Sequence, residues 1–219
     1  VSGISYASYL LQRRFHDRGG LFLASLLGGL YSSTATTVVL SKQARDKAEP
    51  ALYAGGITMA SGIMYLRILV LLFLFGRPLF DRLVIPFTIL GMLALGGGGW
   101  WMWHILRRQE KRNGAAGEVN RNPLELGTAF LFAAIFMGML VATRFAFQQF
   151  GQVGVYGLAL ILGLVDVDPF ILGLAQTPAD AGFVATAAAA VVVATASNNL
   201  AKAGYAFAFG GVRLGRTAL

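Results

Sequence analysis

The sequence predicts an all-α integral membrane protein made of two inverted repeats, each a span, a re-entrant broken helix and a second span, joined by one connecting transmembrane helix. Three observations predict it. Of the 219 residues, 56% are hydrophobic and 13% charged, about half of the roughly 25% charged content of soluble domains. Apolar runs long enough to cross ~30 Å of hydrocarbon recur between short basic loops. Two of those runs are interrupted by polar residues at corresponding places, and paired broken helices are how transporters build sites near the bilayer midplane.

The net charge of +8 would suit nucleic acid, but the basic residues cluster in short loops between apolar runs, where they report orientation instead. No nucleic-acid partner is expected. There is no cysteine, so disulfide and thiolate metal chemistry are both unavailable. His16 and His104 are too far apart to form a local metal motif.

Taken in order, Val1 to Leu11 reads as the back half of a transmembrane helix belonging to a longer protein, followed by a polar loop at Arg13 to Arg18. Residues 20–40 are apolar but interrupted by Gly28, Gly29 and the hydroxyls of Ser32, Ser33, Thr34, Thr36 and Thr37. A charged loop, Lys42 to Glu49, leads to the longest apolar run, 51–76, which carries Arg67 in its interior. The loop from Gly76 to Arg82 precedes a span over 84–106 that ends in Gly96 to Gly99 and Trp100, Trp101 and Trp103, an aromatic belt at headgroup level. The glycine run reads as close helix packing or a frayed helix end in preference to a hinge. After the polar loop Arg107 to Pro123 come a span over 124–149, an interrupted segment over 153–176, and an Ala-rich span over 182–210 holding Ser197, Asn198, Asn199 and Lys202.

The second interruption is Gly163-Leu164-Val165-Asp166-Val167-Asp168-Pro169. A residue before proline avoids the α region, and proline suits the first helical position. The expected arrangement is helix, break at Asp166 to Asp168, and a new helix from Pro169.

A shift of 134 places Gly29-Leu30 on Gly163-Leu164, and Ser32 and Thr34 on Asp166 and Asp168. A shift of 135 places Gly62 on Ser197 and Arg67 on Lys202. The organisation follows: a first repeat over 1–76, a connecting helix and cytoplasmic loop over 77–123, and a second repeat over 124–219.

Loop charge decides the orientation. If both broken segments cross fully, the loop lysines and arginines divide eight against eight. If both turn back, thirteen fall on one side, leaving Arg77, Arg82 and Arg144 on the other, and the positive-inside rule makes the richer side cytoplasmic. The C-terminus is then cytoplasmic, in a bacterial-type inner membrane crossed several times.

Irregular backbone at mid-depth must be buried in protein or line a wet cavity, so a central polar site is expected at the two tips. Its candidates are Ser32, Ser33, Thr34, Arg67, Asp166, Asp168, Asn198, Asn199 and Lys202. Asp166 and Asp168 could carry a proton or coordinate a cation through oxygen, while Arg67, Lys202 and the half-helix N-termini could hold an anionic group. The structural alternatives are snorkelling or ion pairs with the aspartates for the two cations, and interhelical hydrogen bonding for the asparagines. No Walker loop, nucleophile elbow or zincin pattern occurs, so no enzyme is expected.

The segments Gly28 to Thr37, Gly163 to Asp168 and Ser197 to Lys202 together resemble the C-terminal transmembrane domain of unknown function of MgtC/SapB-family membrane proteins. The resemblance implies a membrane fold preceded by an MgtC-like membrane region, and an association with magnesium homeostasis that does not establish transport.

The function expected is a secondary-transporter-like domain that moves a small polar or ionic solute, coupled to a cation or proton. The alternatives are a divalent-cation, magnesium-related channel and a non-transporting regulatory membrane protein. No organic cofactor is expected; a bound Na, H or Mg ion is possible. The partners are the lipid bilayer, the solute and a second copy of the chain.

Overall fold

A computed structural model describes residues 20–45, 50–109, 153–177 and 181–218. The opening half-helix, the loop beyond Gln109 and the span expected over 124–149 lie outside the described residues.

Among the described residues there are six helices and no strand. They are α1 (Gly20–Ala44), α2 (Pro50–Phe75), α3 (Arg77–Gln109), α4 (Val153–Val165), α5 (Val167–Ala175) and α6 (Ala181–Ala218). By length and composition four of them, α1, α2, α3 and α6, are long and apolar enough to cross a membrane, counting α1 as one run across its break at Ser32. The surface agrees. Ile85, Met92 and Leu93 of α3 are each more than 60% exposed, while Leu79, Leu83 and Phe87 on another face of that helix are buried. Apolar side chains on both faces belong in lipid, where packing selects small residues and close contact, because lipid tails are as apolar as the helices.

α1 is two arms. Ser32 has extended backbone, φ −158° and ψ 108°, inside an otherwise helical run. The arms double back on each other. A Cβ on Gly28 would lie 2.5 Å from the Thr36 hydroxyl, and a Cβ on Gly56 would lie 2.5 Å from Ser25 Oγ and 3.1 Å from Leu40 Cδ1. In a straight helix Ser25 and Leu40 would stand ~22 Å apart along the axis. Each arm, Gly20 to Tyr31 and Ser33 to Ala44, is therefore ~18 Å long, short of the ~30 Å hydrocarbon core.

Several boundaries differ from expectation. The loop from Gly76 to Arg82 shrinks to Gly76, because Pro78 fits the first turn of α3 and Arg77 pairs with Asp81 one turn on. Lys42 belongs to the last turn of α1, where a cation suits the helix dipole, and it lies 5.1 Å over the Phe209 ring. Gly96 to Gly99 remain helical. Gly98 is a packing residue, its missing Cβ admitting the Gly55 carbonyl and Met59. α6 runs past 210 to Ala218, interrupted at Gly211, whose φ of +79° suits only glycine.

The chain forms two compact units. One comprises Val1–Tyr65, Ile89–Leu124 and Lys202–Leu219, the other Leu66–Thr88 and Glu125–Ala201. In the first, Leu40, Ala44, Ala54, Ile57, Ala206 and Leu214 form a buried cluster. In the second, α5 buries Val167, Phe170, Ile171 and Leu174.

Candidate functional site

The break in the first unit is built from hydroxyls. Ser32 Oγ accepts the Ala35 N–H at 3.2 Å, acting as an N-cap for the second arm. Thr36 Oγ1 donates to the Ser32 carbonyl at 2.9 Å and Thr37 Oγ1 to the Ser33 carbonyl at 2.8 Å. These are back-bonds from the first turn of the second arm onto carbonyls four residues earlier, which keep both hydroxyls satisfied inside the helix. Ser33 is buried, whereas Ser32 and Thr34 are half-buried.

The break in the second unit is built from carboxylates. Asp166 is extended, φ −157° and ψ 127°, and its Oδ1 accepts the Asp168 N–H at 3.2 Å. Asp166 is thus the cap and α5 starts at Val167. The expected three-residue break with a restart at Pro169 is corrected: one extended residue suffices, and Pro169 falls inside the first turn, where no intrahelical N–H is needed.

Asp168 has a different role. Its Oδ2 is 2.7 Å from Arg67 Nη2, with about a fifth of each side chain exposed. The structural alternative of an ion pair therefore describes Arg67. Asn198 donates from Nδ2 to the Gly163 carbonyl at 2.9 Å, and Ser197 Oγ donates to the Leu160 carbonyl at 2.6 Å. Both bonds hold α6 to α4, as interhelical glue would. Asn199 is half-buried one position on.

Lys202 lies in the first unit and is 2% exposed, so it does not snorkel. Its Nζ donates to Ser61 Oγ at 3.3 Å and touches Met64 Sδ at 3.1 Å. Ser61 and Met64 were not among the candidates. They lie some 140 positions before Lys202, and nothing local marks them. Among the described residues no group of three or more His, Asp or Glu could hold a metal ion. A cation taken up by Asp168 would have to compete with the Arg67 guanidinium.

The two breaks match at three positions 134 residues apart. Ser32 and Asp166, 134 positions apart, share one backbone conformation. Gly29 packs on Ala60, its absent Cβ falling 2.8 Å from the Ala60 Cα, and Gly163 packs on the carbonyl of Ala194. Both members of that contact also shift by 134.

Residues 1–210 match the model of a domain of unknown function, DUF4010. The chain belongs to the DUF4010 family. A relative from Aquifex aeolicus (strain VF5), described as an uncharacterized protein, is 29% identical over 209 residues, covering 92% of this chain and 87% of its own length. No solved structure matches. Neither finding ties this DUF4010 chain to MgtC/SapB proteins, so the magnesium association stays with the resemblance alone.

Proposed function

We propose that this DUF4010 domain is a secondary-transporter-like membrane protein that moves a small polar or ionic solute. The observation that carries the reading is the pair of helix breaks, alike in backbone and 134 residues apart. One offers hydroxyls, the other a carboxylate held by an arginine. Lipid-depth backbone of this kind is expensive unless protein or water satisfies it, and intramembrane charge is retained chiefly where it works.

In this reading both broken segments are re-entrant and the two repeats are inverted. The doubled-back arms of α1 favour that arrangement, since neither arm spans the hydrocarbon alone. The C-terminus and the residue 45 turn are then cytoplasmic, in a bacterial-type inner membrane, and a second copy encloses the path. The chain has no cysteine, so single cysteines at Arg45, Arg77, Arg112 and Asp180 can be labelled from one side of intact cells without altering the background. Inverted repeats place 45 and 112 inside, 77 and 180 outside. Labelling of 45 on the side opposite the C-terminal tail would reject re-entrance.

Transport itself is tested in proteoliposomes loaded with pyranine and subjected in turn to sodium and magnesium gradients. Asp166→Asn, Asp168→Asn and Lys202→Ala should each reduce any ion or proton movement. If all three leave flux unchanged, transport through these residues fails. The regulatory reading has one observation of its own: Arg67–Asp168 and Asn198 to Gly163 are bonds within the protein, as a static scaffold would make. A magnesium channel predicts current that depends on Asp166 and Asp168 and does not need Arg67, so Arg67→Gln, which removes the competing cation, should preserve or raise it.

A further inference from the structure

α3 carries an arginine laid on aromatic rings near each end, and the two differ in charge balance. Near the start, the Arg77 guanidinium lies 4.8 Å from the Phe73 ring centroid and 5.2 Å from that of Phe80, with Nε 3.4 Å from Asp81 Oδ1. Near the finish, the Arg107 guanidinium stacks 3.7 Å over Trp103, and His104 stacks on Trp100 with centroids 5.5 Å apart. The last turn of α3 holds Arg107 and Arg108 with no acidic residue, whereas its first turns hold Arg77 and Arg82 against Asp81.

Exposure sharpens the contrast. Trp100, Trp101 and Trp103 are 61%, 45% and 51% exposed, while Met102 between them is fully buried beside Gly55. The helix end is anchored through Met102 and its indoles face outward. An indole suits the headgroup region because it is apolar in body with a polar N–H. A guanidinium stacked flat on a ring keeps its N–H edge available for two parallel bonds to a phosphate.

We propose that the Trp100 to Arg107 end of α3 is a docking site for an anionic phospholipid, with Arg107 binding the headgroup phosphate and the indoles bedding the glycerol and upper acyl region. Charge complementarity names the occupant. A free polyanion would have no use for three exposed indoles at the end of an apolar helix, and a zwitterionic lipid, which offers the same phosphate, gains less from the unbalanced basic residues because its headgroup has no net charge.

The chain's three tryptophans all lie at this end, so their fluorescence reports on the site directly. The whole chain is reconstituted in phosphatidylcholine vesicles containing a fixed minor fraction of lipid brominated on the upper acyl carbons, either phosphatidylglycerol or phosphatidylcholine. Quenching should show about a fivefold preference for the anionic lipid, the contribution expected of one basic group near a charged surface. Arg107→Gln should bring that preference close to unity, and Arg77→Gln should leave it in place. Equal quenching by the two lipids in the unsubstituted protein overturns the proposal without any variant. A full preference surviving in Arg107→Gln overturns it as well.

Discussion

The two broken helices make the same backbone move with different chemistry. Ser32 and Asp166 are each a single extended residue that caps the helix after it, yet Ser32 reaches the N–H three positions on and Asp166 the one two positions on. Beyond the cap they diverge. The first break is finished by threonine hydroxyls turned back onto local carbonyls, whereas the second holds Asp168 in an ion pair with an arginine 101 positions earlier in the chain. Both breaks share the cap and a closely packed glycine, and the second adds a carboxylate held in an ion pair. That separates what is common, the architecture, from what is particular, the electrostatics, and it says where each kind of substitution should act.

The largest effect should come from charge. Asp168→Ala leaves the Arg67 guanidinium without its carboxylate, at a cost of about 2–4 kcal/mol; the lower part of that range applies because a fifth of each side chain is exposed. Ser61→Ala, which removes one neutral partner from the buried Lys202, should cost about 1.5 kcal/mol, the low end for a bond to a charged group. Titration with a denaturing detergent would measure both. The double variant Arg67→Met with Asp168→Ala should cost less than the sum of its parts, since it removes both charges together. Equal costs for Asp168→Ala and Ser61→Ala would erase the electrostatic difference between the copies.

Much of this comparison could be read before any coordinates. The offset of 134 depends on Gly29, Gly163, Ser32 and Asp166, and the preference of a residue before proline placed the second break within two residues of where it lies. Local rules also produced the errors. They assigned the cap to Asp168 through Pro169, when Asp168 is claimed by Arg67 on another helix. They read Arg77, Asp81 and Arg82 as loop from charge alone, although Arg77 and Asp81 are spaced to pair on a helix. The partners of Lys202 had no signal at all, because a serine and a methionine in an apolar span are ordinary there. Close approach of Gly29 to Ala60 was hidden for the same reason: one glycine among 28 does not announce which helix it meets.

Those glycines supply the second test, which asks whether the copies are mechanically equivalent. Gly29→Ala puts a methyl 2.8 Å from the Ala60 Cα, and Gly163→Ala puts one against the Ala194 carbonyl and 2.9 Å from Ser197 Cβ. Backbone cannot yield as a flexible side chain would, so each should cost about 1–3 kcal/mol. The two values should agree to within roughly 1 kcal/mol. Gly96→Ala meets nothing within 4 Å and should be neutral or slightly stabilising, given alanine's advantage of about 1 kcal/mol in a helix. A cost at Gly29 without one at Gly163 would break the equivalence of the repeats.

The smallest effect is the most discriminating. Serine and aspartate are nearly interchangeable as N-caps, so Asp166→Ser makes the second break chemically like the first while leaving its backbone in place. Its stability should change by no more than about 0.5 kcal/mol, against ~1 kcal/mol for Asp166→Ala, which removes the cap altogether. Ser32→Asp, the reciprocal exchange, should be as mild if the half-buried position keeps enough contact with water for a carboxylate. With folding held constant in this way, any ion or proton movement lost in Asp166→Ser is lost through charge alone. Full movement in Asp166→Ser combined with loss in Asp166→Ala would instead assign that residue to the architecture both copies share, leaving Asp168 and Arg67 as the place where the second copy departs from the first.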